Sequence, residues 1–181
     1  MKYLDQYQIL HEQLPGYGGG NALRYQLPHI VTLIAQTESK TLLDFGCGKG
    51  KYEENRIHDA WGGILPSRYD PAVDQWSELP DGPFDGVFSV DVMEHVPEEE
   101  VIETLQAQFD RAEKFVFLGI ETSPTKTILP NGENAHCTQE NADWWSDKIN
   151  KANTKGVYTH LHTYDDGGTN DYRIFNVEGV A

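Results

Sequence analysis

Apolar residues recur along the chain with two spacings, and the switches between them mark out the elements. Residues 41–45 and the stretch Phe84-Asp85-Gly86-Val87-Phe88-Ser89-Val90 read as strands. Phe115-Val116-Phe117-Leu118-Gly119-Ile120 is continuously apolar, as a strand covered on both faces must be; it and Phe84–Val90 are expected at the centre of a parallel sheet. A further strand is expected over residues 63–69. Helical spacing places Leu4, Tyr7, Ile9, Leu10 and Leu14 in a helix that ends before Pro15. Pro28 predicts the start of a second helix, with Ile30, Val31 and Ile34 inward and its end near Thr37.

Residues 51–60 read as a third helix. A fourth opens at Pro97 and Glu98-Glu99-Glu100, an acidic first turn that suits the helix dipole, and presents Val101, Ile102, Leu105 and Phe109 on one face. A fifth is expected over residues 138–153 with Ala142, Trp145 and Ile149 inward. Two closing strands, 157–164 and 172–177, are joined as an antiparallel hairpin by the turn at Asp166-Gly167-Gly168. Strands alternating with helices and closing on such a hairpin predict an α/β three-layer sandwich.

Composition narrows what this fold is used for. The chain has 181 residues, 38% of them hydrophobic, which suits a single domain: N-terminal helices and a possible lid loop over residues 1–38, then a core over 39–181. Fourteen Lys and Arg against 29 Asp and Glu give a net charge of −15, so a nucleic-acid partner is disfavoured. No apolar run approaches the roughly 20 residues that span a bilayer, and the first residues lack a signal-peptide core. Cys47 and Cys137 form no metal or disulfide pattern, so a reducing, cytoplasmic setting is expected.

The sharpest motif is Leu42-Leu43-Asp44-Phe45-Gly46-Cys47-Gly48-Lys49-Gly50, a strand turning through three glycines into an expected helix. Such a turn lets a ligand approach the backbone and offers it amide donors at the helix start. A dinucleotide loop keeps its selecting acid about 20 residues later, at the second strand. Here a carboxylate, Asp44, lies just before the first glycine and Lys51 stands where such a loop has its third. An acid in that position suits a cofactor with a cationic ammonium and sulfonium end, which is S-adenosylmethionine.

With Phe84-Asp85-Gly86-Val87-Phe88-Ser89-Val90-Asp91-Val92-Met93-Glu94-His95-Val96, the glycine motif resembles the first and fourth motifs of the class I, Rossmann-like S-adenosylmethionine-dependent methyltransferases, and Asn134-Ala135-His136 with the downstream Trp144-Trp145 resembles the small bacterial and phage type among them. The resemblance spans roughly residues 20–178. It implies a mostly parallel Rossmann-like sheet. It also implies that Asp44 faces the methionine ammonium, that Gly46 and Gly48 admit the cofactor to the backbone, and that Asp70 binds the ribose hydroxyls. Phe45, Pro71, Asp91, Val92 and Tyr17 complete the implied cofactor set. The chain departs from the family between strands two and four, where residues 71–83 leave too little room for the usual helix and strand; Tyr69, Trp76 and Leu79 remain alternatives for covering the adenine.

For the chemistry, His95 is the first candidate base, because the family sets residues beside the reacting centre there, and His136 is the second. Tyr17, His95, His136 and Trp144 are the candidate acceptor-binding residues, with Tyr17 as a lid. His160 with His162, and His58 with Asp59, read as ordinary strand and surface residues, and no metal site is expected. A small-molecule or saccharide acceptor, methylated on O or N, is the leading expectation. The alternatives are a non-catalytic protein that binds the cofactor or its product, a protein methyltransferase and a nicotinamide oxidoreductase. An Asp-Val-Met-Glu sequence after the fourth-motif strand disfavours methylation of DNA bases.

Overall fold

The computed structural model describes residues 3–176. Its strands are β1 (Leu42–Phe45), β2 (Ser67–Tyr69), β3 (Phe84–Val90), β4 (Ala112–Glu121), β5 (Tyr158–Tyr164) and β6 (Asn170–Phe175). They form one sheet in the order β2-β1-β3-β4-β5-β6, parallel throughout except for β6, which runs antiparallel to β5. The helices are α1 (Leu4–Gln13), α2 (Asn21–Gln36), α3 (Tyr52–Asn55), α4 (Val101–Arg111) and α5 (Ala142–Ala152). The result is the expected three-layer α/β sandwich of Rossmann-like kind, with β3 and β4 at its centre.

Neighbouring residues on a strand face opposite layers, which explains the unbroken apolar run in β4. Leu43, Val87, Val116 and Leu118 meet Leu105 and Phe109 of α4 and Trp145 and Ile149 of α5. Leu42, Phe88, Phe115 and Phe117 meet Ile30 and Leu33 of α2, together with Trp61. Each such side chain contributes roughly 1.5–3 kcal/mol by leaving water. That burial explains why α2 tolerates Pro28 in its interior. The helix starts at Asn21 rather than at Pro28, because the turns before the proline bury Leu23 and pack Leu27 on the same cluster, which offsets the lost backbone hydrogen bond.

Other boundaries also differ from the sequence pattern. The helix expected over residues 51–60 is only α3 followed by a 3-10 turn, Ile57–Trp61, because Arg56 takes a left-handed conformation (φ 52°) between them. β2 begins at Ser67, not at residue 63, after the left-handed glycines Gly62 and Gly63. α5 begins at Ala142, where the Asn141 side chain accepts the Trp144 amide and caps it. The end of the last expected strand, at Val177, lies outside the described residues. Between β2 and β3 there is only a 3-10 turn, Asp74–Trp76, so β2 is left as a sheet edge and the shortened region is real.

His162 is not a solvent-facing residue of β5. It is 5% exposed and hydrogen-bonded to Gln26 and Asn170. α1 packs through Tyr7 and Leu10 on Ala72, Leu129 and Ala135, beyond the two faces of the sheet. No helix among the described residues is long and apolar enough to cross a membrane.

Candidate functional site

Strand β1 has β2 on one side and β3 on the other, so the strand order reverses between them; open α/β sheets leave a ligand crevice at the carboxyl ends of strands at such a point. A cavity of about 340 Å³ opens there, a size suited to a small ligand. Asp44 and the glycine loop line one end, and Glu121 at the end of β4 and His136 line the other. Pro71, Ala72, Asp91 and Val92 lie along its walls, while Tyr7, His11 and Tyr17 close it from the N-terminal side.

The glycine loop is held almost entirely by its own protein. Gly46 and Cys47 donate their amides to the Tyr69 carbonyl, Lys49 to that of Gly18 and Gly50 to that of Cys47. The Gly48 amide goes to Asp70 Oδ2 at 2.8 Å, and Asp70 Oδ1 accepts the Ala72 amide at 2.9 Å. Every amide from Gly46 to Gly50 therefore has a protein acceptor, and the loop does not offer the free donors expected of it. The helix that follows, α3, is too short to add a useful dipole. The glycines themselves serve close protein contacts: a Cβ on Gly46 would stand 2.2 Å from a Val92 methyl, and one on Gly48 would stand 2.5 Å from the Gly18 carbonyl oxygen. Both have positive φ, 93° and 53°, which favours glycine again.

Beneath this loop Asp44 is 5% exposed. It accepts a hydrogen bond from the Tyr52 hydroxyl. Burial, with the nearby Asp70 adding to it against the opposing charge of Arg68, lifts its carboxyl well above the usual carboxylate range. A cation brought to Asp44 would return its charge.

The far end is assembled from distant segments. Asp91 leaves β3 with φ 54°, a left-handed conformation uncommon outside glycine, and its carboxylate accepts the Tyr164 hydroxyl. Burial, reinforced by Glu121, raises the Asp91 carboxyl above its ordinary value. His95 Nδ1 is 2.7 Å from the Ala135 carbonyl, and His136 Nδ1 is 2.7 Å from that of Ser123. A carbonyl only accepts, so both rings donate Nδ1–H to it, and in the neutral ring Nε2 is the atom that carries the lone pair. The rings meet edge to face with centroids 4.8 Å apart. Burial, then His136, lowers His95 to about 4, so it is a neutral proton acceptor at neutral pH.

Asn134, Ala135 and His136 have separable duties. The Asn134 side chain accepts the Thr125 and His136 amides and donates to the Thr125 carbonyl, fixing the segment. The Ala135 carbonyl takes both the His95 ring and the Tyr7 hydroxyl, and His136 enters the cavity.

Of the residues singled out by the sequence, Tyr17, Asp44, Gly46, Gly48, Asp70, Pro71, Asp91, Val92, His95 and His136 all line this cavity. Tyr17 packs edge-on to His95 and His11. Phe45 does not line it: its ring packs on Tyr69 in the core, because successive strand residues point to opposite faces. Trp144 is also elsewhere, on α5 beneath the Lys148 ammonium and against Trp145. The three residues weighed for the adenine lie outside as well, with Tyr69 and Leu79 against the core and Trp76 under Arg68. Pro71 and Ala72 line the cavity on that side.

The sequence pattern missed Tyr7, His11, Glu94 and Glu121. The acids had a signal, since Glu94 adjoins His95 and Glu121 ends the clearest strand. Tyr7 had none, because its partners lie 88 and 128 residues away. Compared with protein-family models and with curated proteins, the sequence matches none.

Proposed function

We propose that the protein transfers a methyl group from S-adenosylmethionine to an oxygen or nitrogen of a small-molecule or saccharide acceptor. The observation that carries this reading is a glycine loop with no amide left to donate, lying over two buried carboxylates, Asp44 and Asp70. A pyrophosphate needs free amides and would meet these acids, whereas an ammonium needs an acceptor and finds Asp44. Asp70 keeps further lone pairs for hydroxyl donors, as a ribose would supply. The two motifs that resemble class I methyltransferases contribute to the two ends of the same cavity.

When bound, the sulfonium supplies an electrophilic methyl carbon and departs as a neutral thioether. The protein's part is to align the acceptor and receive the proton it loses. His95, neutral at neutral pH with Nδ1–H donated to the Ala135 carbonyl, suits that second duty with His136 beside it, and favours an enzyme over a simple binding protein. Calorimetry against S-adenosylmethionine and a nicotinamide dinucleotide, followed by an acceptor screen with methyl-labelled donor, tests the reading. Preference for the sulfonium ligand and label transfer to a saccharide or metabolite are expected. Tighter dinucleotide binding, or cofactor binding without any S-adenosylhomocysteine formed, overturns it.

A further inference from the structure

Around the far end of the cavity lies a group of ligand atoms that proton transfer alone does not explain, with Glu121 and His136 in the lining and Glu94 buried behind it. Glu94, in the 3-10 turn after β3, Glu121 at the end of β4, and His136 each offer one ligand atom, and these atoms lie within 4.8 Å of one another. Glu94 is 0% exposed. Its Oε1 accepts the Glu121 amide at 2.9 Å, but its Oε2 is buried with no hydrogen-bond partner. A buried carboxylate oxygen left so is costly and calls for a partner. His136, 5% exposed, spends Nδ1–H on the Ser123 carbonyl and keeps the Nε2 lone pair, the arrangement by which a backbone acceptor fixes a metal-ligating imidazole. Glu121 is partly exposed in the cavity lining, so an ion held there would keep coordination positions open to a small molecule.

We propose that Glu94, Glu121 and His136 bind a divalent cation of magnesium or manganese type at this end of the cavity. Two carboxylate oxygens and one imidazole nitrogen with open positions favour such ions over those that prefer thiolates. Around an octahedral Mg2+, with bonds of about 2.1 Å, cis ligands stand ~3 Å apart and trans ligands ~4.2 Å apart, so a bound cation draws the three groups inward. Binding stands on these residues alone. Its use rests on the methyl-transfer reading: a hydroxyl acceptor coordinated to the ion loses its proton more readily, to the neighbouring His95, and its oxygen then attacks the methyl carbon. The oxygen–hydrogen pair becomes the nucleophile, the new carbon–oxygen bond forms, and the carbon–sulfur pair returns to sulfur.

Loss of the aqueous Mn2+ paramagnetic resonance signal, titrated into chelator-treated full-length protein, tests the site. One Mn2+ per chain is expected, displaced by excess Mg2+ and weakened at least ~10-fold in Glu121→Gln and in His136→Ala. Glu94→Gln should do the same where circular dichroism shows it folded; Glu121→Gln, partly exposed, carries the test if it is not. Absence of Mn2+ binding up to ~1 mM, or binding indifferent to Glu121→Gln and His136→Ala, overturns the proposal. S-adenosylmethionine affinity, measured with and without chelator, separates the two readings. Mn2+ bound without methyl transfer to any acceptor leaves the metal site standing and removes the methyltransferase. Methyl transfer that persists with no Mn2+ bound does the reverse.

Discussion

The two ends of the cavity are built in opposite ways. At the glycine-loop end the donors sit in one short stretch of chain and none is left over: the Gly46–Gly50 amides go to Tyr69, Asp70, Gly18 and Cys47. At the far end the polar groups come from α1, the exits of β3 and β4, and the 123–136 segment. There a carboxylate oxygen has no partner, two imidazole nitrogens keep lone pairs, and Asp91 holds a strained backbone. A finished surface binds by shape and charge. An unfinished one has capacity left for chemistry, and its cost is borne by the packing around it.

The largest expected effect comes from removing that capacity. His95→Gln should lower turnover ~100- to 10,000-fold while S-adenosylmethionine affinity changes little, as read by steady-state kinetics beside calorimetry. Loss of both together would erase the distinction between the ends. Gly48→Ala attacks the finished end, since its Cβ would press on the Gly18 backbone at a positive φ. Urea unfolding should show a loss of about 2–4 kcal/mol. A neutral result there would mean that the loop is not tightly docked.

Asp44→Asn sharpens the contrast further. It should weaken S-adenosylmethionine ~10- to 100-fold in calorimetry with little loss of stability. Because burial raises the Asp44 carboxyl and a cationic ligand favours its charged form, affinity in the unmodified protein should rise with pH through the raised pKa. A pH-independent affinity for both forms would dismiss Asp44 as the contact. The smallest effect belongs to a site remote from both ends. Burial of Asp85 works against its charge, but the Lys40 and Thr41 amides and the Lys114 ammonium hold its carboxyl below the usual range. That stability is present above the ordinary aspartate pKa and is lost as pH falls through the lowered one. Asp85→Asn should cost under ~1 kcal/mol near neutral pH, less in acid, by thermal unfolding.

The contrast also decides what the sequence discloses. β3 has the limits expected of it, and Asp44 with its glycines was visible because strand, acid and turn are contiguous. The break at Arg56 was not, since an ordinary residue gives no sign of a left-handed backbone. Pro28 misled, because tertiary burial outweighed a local rule. Tyr7 looked like a helix core residue, yet its hydroxyl reaches the carbonyls of His95 and Ala135. Glu94 lay beside the histidine that drew the reading, and its meaning appears only when Glu121 and His136 are brought to it. Local periodicity carries the layers of the sandwich but not the meeting of segments at their ends.

The spent amides of the glycine loop also bear on selectivity. Adenine nucleotides share base and ribose with the proposed cofactor but end in phosphates. To them this loop extends no donor, and the carboxyl groups of Asp44 and Asp70 lie where a phosphate would need one. Discrimination among look-alike metabolites would then be a matter of refusal, exercised by hydrogen bonds the protein has already made with itself.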